Sequence, residues 1–64
     1  MDTKADDLLL ILARRLTEIR EVYPVEQVYP VFAGEVAART PGLTLEEEHA
    51  VRMGAKAMLI TSGL

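Results

Sequence analysis

Thr40-Pro41-Gly42-Leu43-Thr44-Leu45-Glu46-Glu47-Glu48 is the stretch that decides how this chain folds. Its first three residues are a stop signal. Proline disfavours continuation of a helix, and glycine suits the left-handed position of a tight turn. Its last five are a start signal. Thr44 and Glu47 stand three apart, as a capping box requires, and Glu46, Glu47 and Glu48 load the positive end of a helix with negative charge. One helix must therefore end before Pro41 and another begin after Thr44.

Downstream, residues 45 to 62 keep helical periodicity, with Gly63 placed for a left-handed cap and Leu64 for the hydrophobic contact of a Schellman-type ending. At about 100° per residue, Val51, Gly54, Ala55, Met58 and Leu59 fall on one side of this helix. Met53, Ala57, Ile60 and Leu64 fall on roughly the other, with Ala50 beside them. Upstream, Val28, Phe32 and Val36 share a helical face joined by Tyr29, and Ala33, Gly34, Ala37 and Ala38 form a smooth face beside it. Pro30 restricts this second helix. Deep in a helix it removes a hydrogen bond and clashes with the preceding turn, so the helix is expected to begin near Gln27 or to kink at Pro30.

The first helix is set by Leu8, Leu12, Leu16, Ile19 and Tyr23, at spacings of four, four, three and four, widened by Leu9, Ile11 and Val22. Thr3 and Asp6 are placed to cap its start. Pro24 disfavours helical geometry at Tyr23, which puts the end near Val22. Val22-Tyr23-Pro24-Val25 returns as Val28-Tyr29-Pro30-Val31, but a six-residue interval matches neither a helix period nor a solenoid repeat. The expected fold is all-α: three antiparallel helices in a small bundle or helical array, forming one domain over residues 1–64, because short connections make neighbouring helices antiparallel.

Composition narrows the function. The chain has 64 residues, half of them hydrophobic, no cysteine and a net charge of −3. Disulfides and thiolate metal sites are excluded, and an acidic chain lacks the basic footprint that nucleic acid demands. The second helix, the Thr-Pro-Gly turn and the third could mimic a helix-turn-helix, but the recognition helix would then open with three glutamates where phosphates are met. The apolar run Leu8 to Ala13 is too short for a secretory signal or a membrane span, so a cytoplasmic setting is expected. No cofactor is expected either. Glu46 and His49 have the Glu-x-x-His spacing of di-iron bundles, yet such sites need two such pairs and more glutamates; a solvated helix start explains both residues. Ser62 has no base near it, and no glycine-rich phosphate loop occurs, so the chain is not expected to be an enzyme.

Two apolar sides on the third helix exceed what a three-helix core uses. The expected activity is therefore protein binding, through Met53, Ala57, Ile60 and Leu64, with Leu10 on the first helix as a secondary contact. The partner would be another protein, presented as a helix, or a second copy of this chain in a homodimeric bundle. A small regulator masking a transcription factor or an enzyme fits the same composition. Finally, Ala50-x-Arg52-Met53, Met58-Leu59 and Ser62-Gly63 resemble the first helix of a tetratricopeptide-like unit. Phe32-Ala33, Ala37-Ala38 and Pro41 resemble the end of the pair before it. Degenerate arrays of this kind occur among small type III secretion chaperones. The resemblance implies an adaptor or chaperone in which a following or partner-supplied helix covers the third.

Overall fold

A computed structural model of the chain describes residues 4–63. Three helices follow one another, α1 Lys4–Val22, α2 Val25–Arg39 and α3 Leu45–Thr61, and no strand occurs among the described residues. The capping role expected of Thr3 and the contact expected of Leu64 lie outside those residues.

Each break has a local cause. α1 stops where Pro24 follows Tyr23, and the Tyr23 N–H still donates to the Ile19 carbonyl at 2.9 Å. Pro24 then holds the position before α2 with φ −59° and ψ 152°, and its carbonyl accepts from the Gln27 N–H. The second helix thus begins at Val25, ahead of the start expected near Gln27, and Pro30 lies inside it in the second turn. The missing donor at Pro30 would have served the Glu26 carbonyl. Both residues are exposed, so water can take the place of the lost bond.

The α2–α3 connection closes as its sequence requires. Gly42 adopts φ +87°, and the Leu43 N–H donates to the Thr40 carbonyl at 3.1 Å. Proline second and a left-handed glycine third are the demands of a type II turn. Thr40 is buried, and its hydroxyl donates to the Ala37 carbonyl at 3.1 Å. The capping box then forms in full. The Thr44 hydroxyl accepts from the Glu47 N–H at 3.1 Å, and the Glu47 carboxylate accepts from the Thr44 N–H at 2.9 Å. At the far end Gly63 takes φ +79°, and its N–H donates to the Ile60 carbonyl at 3.0 Å, one of the two bonds of a Schellman ending.

The core is one cluster. α1 supplies Ala5, Leu12, Leu16 and Ile19, α2 supplies Val28, Phe32 and Val36, and α3 supplies Val51, Ala55 and Leu59. Phe32, Leu12, Ile19, Val28 and Val51 are almost fully enclosed, and each such side chain stabilises the fold by about 1.5–3 kcal/mol relative to exposure. Tyr29, expected to join the core face of α2, is instead 62% exposed. It stands 100° round the helix from Val28, beyond the reach of α1.

α1 is the central element. It packs extensively against both α2 and α3, whereas α2 and α3 touch each other only slightly. Against α3 the fit is close at Gly54. A Cβ placed on Gly54 would come within 2.5 and 2.8 Å of the two Leu9 methyl carbons, so the missing side chain is what admits Leu9. The small-residue face of α2 receives no such neighbour: Ala33, Gly34, Ala37 and Ala38 are all exposed, and nothing stands within 4 Å of a Cβ on Gly34.

Candidate protein-interaction surface

The slight contact between α2 and α3 leaves an open furrow along the side of the bundle opposite α1. Its floor is the edge of the core: Phe32 and Val36 from α2, Ala55 and Leu59 from α3. Tyr29 and Ala33 form one wall, and Arg52, Lys56 and Ile60 form the other. The space between them is about 410 Å³. From Tyr29 to Val36 the α2 side of the furrow spans eight residues, a rise of about 11 Å or two helical turns. Tyr29 and Ile60 stand at the same end of the furrow, as antiparallel helices require, and are 62% and 66% exposed. Val25, one turn before Tyr29, together with Val22 and Tyr23 at the α1–α2 corner, continues the exposed apolar surface beyond that end.

The two walls differ in charge. No carboxylate lines the furrow, and both of its charged side chains are cations on α3. Arg52 Nε donates to Glu48 Oε2 at 3.2 Å, a solvent-exposed pair one turn apart. Lys56 has no ion pair among the described residues.

A second furrow, of about 350 Å³, lies between α1 and α3, with Ala13, Leu16, Thr17 and Arg20 on one side and Gly54, Ala57, Met58 and Thr61 on the other. Around the bundle, Glu35 ties α1 to α2. It accepts from Arg15 Nε of α1 at 3.0 Å and from Arg39 of α2 at 2.7 Å, while Arg15 also reaches Glu18 at 3.1 Å. The hydrogen bond from Arg15 is the largest influence on the Glu35 carboxyl; partial burial opposes it, and the weaker bond from Arg39 with the charges of both arginines keeps the carboxyl below its ordinary range. Arg15 is raised in turn, chiefly by its bond to Glu35. This is a structural tie between helices, and it lies away from the furrow.

The residues singled out from sequence are exposed: Met53, Ala57 and Ile60 together on the outward ridge of α3, and Leu10 on α1. Met53 is 53%, Ile60 66% and Leu10 73% exposed, and Ala57 is exposed as well; Leu64 lies outside the described residues. Ile60 forms part of the α2–α3 furrow, Ala57 borders the α1–α3 furrow, and Met53 sits on the ridge of α3 between the two. Leu10 stands about 160° round α1 from the buried Leu12. Tyr29, Val25 and the cationic wall escaped sequence reasoning. A signal for the first two was present: Val25, Tyr29 and Ala33 make a second apolar row at i, i+4 beside the core row Val28, Phe32 and Val36, more than one neighbouring helix can cover.

His49 is exposed, and no group of metal-binding side chains occurs among the described residues. No helix among them is long and apolar enough to cross a membrane. No family model matches the chain, and no curated protein or solved structure matches it either.

Proposed function

We propose that the protein is a non-enzymatic interaction module, a small adaptor or chaperone of cytoplasmic setting, that receives an amphipathic helix of another protein in the furrow between α2 and α3. The furrow itself carries the proposal. Two helices that both rest on α1 but scarcely touch each other leave a trough two turns long, floored by core side chains and walled by a mostly exposed tyrosine and isoleucine. A helix lying there would meet α2 and α3 much as α1 does from the other side and complete a four-helix arrangement. The tetratricopeptide-like resemblance of residues 32–63 points the same way, since such arrays stack one further helix on the exposed side of each pair.

The test is site-specific crosslinking in the native host. A photoreactive residue at Ala33, on the wall, is expected to trap one other protein, and the same residue at Glu18 on α1 is not. Ile60→Asp and Tyr29→Ser are expected to abolish the Ala33 adduct while the helical circular-dichroism signal is retained, because both side chains are mostly exposed. Adducts formed equally from both positions, or only with the chain itself, would contradict the proposal.

A further inference from the structure

We infer that the furrow selects an acidic amphipathic helix, one whose apolar stripe is flanked by carboxylates; this rests on the partner-helix function proposed above. Three observations carry it. First, charge is one-sided: Lys56 and Arg52 stand one turn apart on the α3 wall, and the α2 wall offers only Tyr29 and Ala33. Glu48 already occupies Arg52 Nε, but Lys56 has no ion pair among the described residues. An occupant helix would bring its flank to this row, where carboxylates gain an ion pair and cations meet repulsion.

Second, the walls extend for two turns, so the occupant engages through large apolar side chains at i, i+3 or i+4, and i+7. Third, a second copy of this chain is a poor occupant. A two-fold axis across the furrow sets Lys56 beside its own equivalent, where like charges oppose closure, and one along it sets the cationic wall against Tyr29 and Ala33, which offer it no carboxylate.

The experiment uses the full chain and three designed helical peptides of about 16 residues, long enough to be helical when bound. Two share a leucine stripe and differ in flanks of Glu or Lys; the third has Glu flanks with the stripe replaced by Gln. Binding is read by fluorescence anisotropy, and the contact by amide shifts of Ala33 and Lys56. The Glu-flanked leucine peptide is expected to bind about fivefold more tightly than the Lys-flanked one at about 20 mM salt, with the margin narrowing as salt rises. Lys56→Glu should reverse that order, whereas Arg14→Glu, an equal change of charge on α1, should leave it intact. Equal affinities, an order unmoved by Lys56→Glu, or an equal response to Arg14→Glu would overturn acidic selection and leave the partner-helix function standing. If no peptide shifts the furrow amides, or the Gln-stripe peptide binds as well as the leucine one, the furrow is not a helix receptor. A dilution-resistant dimer that masks those amides would identify a second copy as the occupant and overturn both proposals.

Discussion

Gly34 and Gly54 are both interior helix glycines, and they offer a controlled test of how α1 meets α3. Alanine improves on glycine in a helix interior by about 1 kcal/mol, because glycine loses more backbone freedom on folding. At Gly34 an added methyl meets nothing within 4 Å, so Gly34→Ala should deliver that full gain, raising the melting temperature by roughly 6 °C for a domain of this size. At Gly54 the same methyl would stand 2.5 and 2.8 Å from the Leu9 methyl carbons and 3.2 Å from Cγ. Ordinary carbon contacts lie at about 3.5–4.0 Å, so Leu9 must swing away by roughly 1 Å. A forced rotamer costs about 0.5–1.5 kcal/mol, and the half-buried leucine surrenders part of its packing as well. Gly54→Ala should therefore be neutral or destabilising by up to about 1 kcal/mol.

Removing the obstruction should restore the gain. In a Leu9→Ala background, Gly54→Ala is expected to stabilise by about 1 kcal/mol, which makes the coupling between the two sites about 1–2 kcal/mol. Urea unfolding of the four members of the cycle, followed by far-ultraviolet circular dichroism, measures it. A Gly54→Ala variant as stabilised as Gly34→Ala, with Leu9 present, would refute the close approach of the two helices.

Three further outcomes are expected. Thr44→Ala should cost about 1 kcal/mol in urea unfolding, since the Glu47 N–H loses its acceptor, and Thr44→Ser should restore most of it. Phe32→Ala should cost about 3–5 kcal/mol, a large part of the stability available to so small a domain, and thermal melts should show the loss of a cooperative transition; Ile60→Ala, mostly exposed, should stay within about 0.5 kcal/mol of the parent. Glu35→Gln should lower stability at neutral pH by removing the tie from Arg15 and Arg39. Because the folded Glu35 carboxyl titrates below its ordinary value of 4.5, its contribution is whole above that value and is lost as the pH falls through the lower, folded one. The gap between parent and variant in urea midpoint should accordingly close on acidification, and a gap independent of pH would argue against the tie.

Much of the fold was legible in the sequence, and the reason is range. A capping box acts over three residues, so Thr44 and Glu47 announced the start of α3, as Thr40-Pro41-Gly42 announced the end of α2 and Gly63 the end of α3. Pro24 likewise ended α1 through its effect on Tyr23 alone. The core rows Leu12-Leu16-Ile19, Val28-Phe32-Val36 and Val51-Ala55-Leu59 followed from helical period. Pro30 left open whether α2 begins near Gln27 or bends, because propensity weighs the lost bond but not where its acceptor points; the helix begins at Val25, and the exposed Glu26 carbonyl can turn to water.

The interaction surface was legible only in part. The exposure of Met53, Ala57, Ile60 and Leu10 follows from their angle on a helix, which the sequence carries. Which exposed residues lie side by side depends on where each helix settles against the others, and that is a matter of packing between residues far apart in the chain. Tertiary structure placed Ile60 opposite Tyr29, set Leu9 into the space left by Gly54 and brought Arg15 to Glu35. The sequence by itself determined three helices, their ends and their buried stripes, because those depend on contacts within one turn. Only the tertiary structure decided that α1 would be shared by α2 and α3, because one central stripe can cover both while their own flanking rows, Val25-Tyr29-Ala33 and Arg52-Lys56-Ile60, are left facing a trough.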